Sequence, residues 1–299
     1  MELVILGSMA FDDIETTGGT RKAVLGGSGS HCALAASLHA KVGLVGVVGE
    51  DFPDASREAL RGHGIDLTGV ETRPGKTLRW SCRYEADMNI RHTTGLELNV
   101  LEDFDPVLPE SYRSAKFVFL GNDSPARQRA LLKQFTSPRF VVCDTMNHWI
   151  NSERDELDAL LREVDGLVIN DEEARLLTGQ ENLIAAGNRI LDLGPRVVLL
   201  KKGEHGAFLF SAFAHYAIPA YPLDHVVDPT GAGDSFAGGL MGHLASRARV
   251  TVPNLKKAMA HGTITASFTV QGFGPEGLLA ARSTDIENRY ENFIQFITP

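Results

Sequence analysis

Six short runs of almost wholly apolar, often β-branched residues punctuate this chain, at positions 3–6, 42–48, 117–120, 141–143, 167–169 and 197–200. None leaves a polar face, as expected of strands covered on both sides. Helical patterns fall between them, at 30–41, 53–61, 125–135, 153–162, 172–177 and 182–193. Strand alternating with helix predicts βαβ units, and so a three-layer α/β/α body around a mainly parallel sheet. A chain of 299 residues, 43% of them hydrophobic, has enough apolar material to fill such a core.

Two polar stretches, 11–25 and 77–100, break the rhythm. In the second, Leu78, Trp80, Cys82 and Tyr84 alternate with Arg79, Ser81, Arg83 and Glu85, which is the period of a strand with one wet face. The expected organisation is a body made of residues 1–10, 26–76 and 101–299, with 11–25 and 77–100 forming a small β-structured lid. The apolar row on the lid would be either a contact between two copies or the roof of a pocket.

Charge narrows the function. Twenty-nine Lys plus Arg against 38 Asp plus Glu give a net charge of −9, which disfavours a nucleic-acid partner. No stretch reaches the roughly 18 apolar residues of a membrane span. The start of the chain lacks the basic and long apolar segments of a signal peptide, and the three cysteines, Cys32, Cys82 and Cys143, are too far apart for a CxxC clip. The expectation is a cytoplasmic protein with reduced thiols. Its ten histidines show no metal-ligand spacing and read as surface or packing residues.

The segment Asp228-Pro229-Thr230-Gly231-Ala232-Gly233-Asp234-Ser235-Phe236 carries the most chemistry. Phe236, Leu240 and Leu244 recur every four residues, so a helix begins near Gly233 and buries that stripe. A glycine-rich loop entering a helix presents backbone N–H groups at the positive end of the helix dipole, which is an anion site suited to phosphate. Asp234, in or beside the first turn, is placed to act as a general base on a group held there. The competing reading makes Asp234 a helix cap and the glycines a tight turn.

Four further segments fit a phosphate-handling site. Gly26 and Gly27 precede a small-residue helix carrying His31 and Ala33; Asn170 and Glu173 follow a buried strand at the carboxyl edge, where open α/β sheets put their sites. Lys201 and Gly203 open a strand-to-turn segment, and Asp12 follows the first strand. Taken with the Gly-Ala-Gly-Asp string, these segments and their order closely resemble the ribokinase-like, or PfkB, family of sugar and nucleoside kinases, from Leu3 to about Gly277. The resemblance implies the ribokinase-like fold, ATP and Mg2+, with Asp234 as base and the N–H groups of Gly231, Ala232 and Gly233 stabilising the phosphoryl group. It further implies that Asp12, Gly26, Gly27 and His31 bind the acceptor, His31 standing where relatives usually carry Asn. Asn170 and Glu173 would hold Mg2+ through water. Lys201, Gly203 and Gly274 would line the nucleotide site, with Ala266 and Val270 beside the adenine. Asp228 would serve a monovalent-cation site for K+, and two copies would pair through the lid.

The acceptor is a sugar or sugar derivative on this reading, with a ribonucleoside as the alternative, since Phe11, Trp80 and Trp149 offer stacking surfaces. A non-catalytic sensor on the same fold would have no use for an intact Asp234. A nicotinamide oxidoreductase lacks its fingerprint, because Cys32 and Phe236 stand where GxGxxG requires its last glycine, and Gly75-Lys76-Thr77 lacks the first glycine of a Walker A loop.

Overall fold

A computed structural model describes residues 1–298. The strands are β1 (Leu3–Leu6), β2 (Ala10–Thr16), β3 (Gly19–Gly26), β4 (Val42–Gly49), β5 (Asp66–Arg73), β6 (Leu78–Tyr84), β7 (Arg91–Glu97), β8 (Phe117–Leu120), β9 (Phe140–Asp144), β10 (Gly166–Asn170), β11 (Val197–Lys201), β12 (Ala207–Ser211) and β13 (Ala214–Ile218). Nine form the central sheet in the order β13-β12-β11-β10-β9-β8-β1-β4-β5. From β11 to β5 every pairing is parallel, and only β12 runs against the rest, its pairings with β11 and β13 both antiparallel.

Side chains alternate across a strand, so each apolar run feeds two cores. Leu3 and Ile5 enter one with the helices Ser28–Ser37, Ala232–Arg247 and Val252–Thr269; Val4 and Leu6 enter the other with the helices Arg154–Glu163, Asp171–Thr178 and Leu183–Leu191. This is the three-layer arrangement that the strand–helix alternation predicts. Tight packing on the first side depends on small residues, since a Cβ at Gly238 would overlap the Cys32 carbonyl oxygen.

The other four strands make a separate sheet, β3-β2-β6-β7, with β2 running parallel to β6 and antiparallel to β3. Its inner face packs onto the body: Cys82 and Ile14 are buried against Phe273, with Trp80, Tyr84 and Val227 packed around them. Thr16 donates to the Val227 carbonyl (2.8 Å), and the Tyr84 and Thr230 hydroxyls lie 3.1 Å apart. The apolar row therefore covers the chain's own body. No helix among the described residues is long and apolar enough to cross a membrane.

Candidate active site

The parallel strands end on one edge, and three of them end in polar residues. Asn170 and Lys201 are paired in register on β10 and β11, and Asp144 closes β9. Facing this edge is the loop that leads into the helix Ala232–Arg247, with Asp234 in that helix's first turn. Gly231 has φ 75° and ψ 0°, the third-residue geometry of a type II turn, and the Ala232 N–H donates to the Pro229 carbonyl at 3.2 Å. A Cβ at Gly231 would also overlap the His31 ring. Here the expected anion loop needs correction. The turn consumes the Ala232 N–H, while those of Gly231 and Gly233 have no protein acceptor among the described residues.

Lys201 bridges the sheet edge and this loop. Its Nζ lies 3.7 Å from Asp144 Oδ2, and a Cβ at Gly233 would approach it to 2.9 Å. Burial pushes the Asp234 carboxyl up to about 7; the neighbouring Asp144 adds to the rise, and Lys201 opposes it. Glu173 is likewise pushed to about 7 by burial, with Lys201 opposing. Burial alone would lower the Lys201 ammonium, but Asp144, Glu173 and Asp234 together hold it above its ordinary value, so it stays charged. One ammonium thus faces three carboxyls, each raised by burial and each opposed by that ammonium.

Asp12, on β2, is buried and also pushed up to about 7, first by desolvation and then by Asp228 and Asp234, with the Gly27 N–H opposing. Gly26 stands opposite Ala10 on β3, and a Cβ there would overlap the Asp12 carboxylate, so this close approach requires glycine. Asp13 turns the other way and accepts the Ala23 N–H at 2.7 Å. His31 is 1% exposed, both ring nitrogens lack a partner, and burial lowers its pKa to about 4. It thus backs the anion loop as a neutral ring, packed directly beneath Gly231.

Asn170 and Glu173 form a capping box: Asn170 Oδ1 accepts the Glu173 N–H at 2.8 Å, and Glu173 Oε2 accepts the Asn170 N–H at 2.9 Å. The capping reading of this motif holds, and it leaves Glu173 Oε1 without a protein hydrogen bond. A carboxylate oxygen left without a protein partner, beside an amide oxygen, is a donor set that fits Mg2+ held through its water shell, although Glu173 is only 8% exposed. Asp228 is buried, and its two oxygens accept the N–H groups of Thr230 (2.9 Å) and Gly274 (3.0 Å), tying the anion loop to the C-terminal loop. Lys201, Gly203, Gly233, Phe236, Ala266 and Val270 help line a cavity of about 500 Å³, roomy enough for a nucleotide's base and sugar.

Two contributors, Asp144 and Arg91, escaped the sequence reading, while Tyr84 belongs to the apolar row already marked as a pocket roof. Asp144 ends an apolar strand at the carboxyl edge, and the rule that drew notice to Asn170 would have found it. Tyr84 and Arg91 reach the site from the second sheet. Arg91 pairs in register with Tyr84, stacks its guanidinium 5.2 Å from the Trp80 ring centre, and lowers the pKa of both Asp234 and Glu173.

The family model for pfkB family carbohydrate kinases matches residues 2–280. The chain belongs to the PfkB family of carbohydrate kinases. It is accordingly an enzyme that moves a phosphoryl group to an alcohol of a sugar-type acceptor. Among its relatives, cytidine kinase of Thermococcus kodakarensis is 31% identical over 247 residues, 81% of this chain and 87% of that one. The fold is that of a putative ribokinase II from E. coli (TM-score 0.80, 20% identity, 97% of this chain and 99% of that one) and of the Methanocaldococcus jannaschii nucleoside kinase (TM-score 0.78, 19% identity, 98% and 99%).

Proposed function

We propose that this PfkB kinase transfers the γ-phosphoryl group of ATP to the hydroxymethyl group of a ribonucleoside. The observation that carries phosphoryl transfer is the convergence of a partly exposed Asp234, a charged Lys201 and the free N–H groups of Gly231 and Gly233 at one helix N-terminus. The cytidine kinase likeness, over most of both chains, supports a nucleoside over a free sugar. A free pentose is the second reading, since the buried Asp12 carboxylate would serve the hydroxyls of either acceptor.

In this reading Asp234 takes the proton of the attacking hydroxyl. With its carboxyl at about 7, the group is basic enough to accept that proton and ionised often enough near neutrality to be ready for it. Lys201 and the two amides meet the charge on the transferring phosphoryl, which in this chemistry supplies most of the catalysis. Mg2+ near Asn170 and Glu173 would neutralise phosphate charge when bound. The second sheet acts as a lid that brings Arg91 over the site and excludes water. A K+ ion beside Asp228 would share that carboxylate with the two N–H groups it already accepts. A cytoplasmic location is consistent with this reading, and any homodimer contact through the lid would use its outer face or its edges, β3 and β7, since the inner apolar row is covered.

ADP release measured with Mg-ATP across cytidine, other ribonucleosides, ribose and deoxyribose tests this assignment. A nucleoside should give the highest kcat/KM; a free sugar exceeding every nucleoside would replace the first reading with the second. Asp12→Asn should raise the acceptor KM about 10- to 100-fold, because a charge-assisted hydrogen bond is worth about 1.5–3 kcal/mol, and leave the ATP KM unchanged. Equal effects on both substrates would remove Asp12 from the acceptor end.

A further inference from the structure

Three histidines converge where sequence spacing gave no hint. His39 lies two residues beyond the helix Ser28–Ser37, His243 is in the helix Ala232–Arg247, and His261 is in the helix Val252–Thr269. One nitrogen from each lies within 4.8 Å of the others. His243 and His261 are each 4% exposed and His39 is half-buried. Three buried nitrogens, His39 Nε2, His243 Nε2 and His261 Nδ1, have no hydrogen-bond partner. Buried polar atoms are normally satisfied, and three orphans converging from two helices and the segment just past a third call for a common partner.

We infer that His39, His243 and His261 form a binding site for a first-row divalent cation, of which Zn2+ is the type, with water or an anion as fourth ligand. Imidazole is a preferred donor for such metals, and three histidines with one open position is an established zinc geometry. Burial keeps all three rings neutral, with His39 and His243 lowered to about 4 and His261 to about 2, so no proton competes at neutral pH. The rings now stack: His243 and His261 have centres 4.0 Å apart and tilted by 17°, and Tyr290 continues the stack on His261 at 4.6 Å. Metal–nitrogen bonds of about 2.0–2.1 Å require nitrogens about 3.3 Å apart, so binding turns the rings and draws the donors together by up to roughly 1.5 Å. The nearest charges, Arg247 and Lys257, are cationic, exposed and screened, and favour an anionic fourth ligand. The site lies on the helix whose first turn carries Asp234, but at its opposite end.

The test uses untagged, full-length protein in excess Mg2+, which occupies oxygen-donor sites. After dialysis against Zn2+, elemental analysis should find one Zn2+ per chain, and Co2+ in its place should give the intense visible absorption of a four-coordinate nitrogen site. His39→Gln, at a half-exposed position past a helix end, and His243→Gln should each weaken binding by more than the roughly 10- to 100-fold that losing an outer-sphere partner costs, with circular dichroism unchanged. Absence of stoichiometric Zn2+, octahedral-type Co2+ absorption, or wild-type affinity in both variants would overturn the site and leave a neutral stacked histidine ladder. Kinase activity takes no part in this readout.

Discussion

Asp234→Asn should bind ATP nearly as well as the wild type and turn over about 10²–10⁴ times more slowly, which is the contribution of a positioned general base. The amide keeps the side chain's shape in the first helical turn but cannot take a proton. The same change should make the protein more stable at pH 8. The folded Asp234 carboxyl sits near 7, well above its ordinary value near 3.8, so ionising it opposes folding. Stability from this group is full below about pH 4 and is lost as pH rises through 7; the variant escapes that loss, gaining on the order of 1–2 kcal/mol at pH 8 after allowance for partial exposure. Thermal denaturation at pH 5 and pH 8 should show the gain growing with pH. Unchanged turnover on a verified acceptor would remove Asp234 as base.

Lys201→Met should lower kcat by roughly 10²–10³, the range seen when a preorganised partner of developing charge is lost. It removes the one ammonium among Asp144, Glu173 and Asp234, and methionine fills a similar volume without replacing the charge. Because Lys201 holds down the pKa values of Asp234 and Glu173, both should rise further, shifting the acid limb of activity to higher pH and making the variant relatively less stable at pH 8 than at pH 6. A variant with wild-type kcat and an unmoved limb would show that Lys201 only packs.

The central strands were legible because a strand buried on both faces has to be apolar throughout, as 3–6 and 117–120 are. The Gly231–Ala232–Gly233 segment was legible as a turn entering a helix because Gly231 takes φ 75° and a Cβ there would overlap the His31 ring. What escaped lacks a local signature. β5, Asp-Leu-Thr-Gly-Val-Glu-Thr-Arg, is a polar edge strand that has only one neighbour to satisfy. β12 and β13 turn through Ala212 and Phe213, without the Asn-Gly or Gly-rich pair that announces a hairpin. Asp144 is one carboxylate in a chain with many, and its pairing with Lys201 exists only after two strands are set side by side. His31 looked available from its place after two glycines; the helix–helix contact that buries it is a tertiary fact. Arg91 and the three clustered histidines are likewise assembled by the fold.

The measurement that bears most directly on the site is the pH dependence of kcat/KM for the acceptor, in wild type and Asp234→Asn. The wild type should lose activity as pH falls through about 7, as Asp234 takes up its proton in the free enzyme, and the residual activity of the variant should lack that limb. A wild-type profile flat from pH 5.5 to 8, or the same limb persisting in Asp234→Asn, would contradict the assignment of Asp234 as the base.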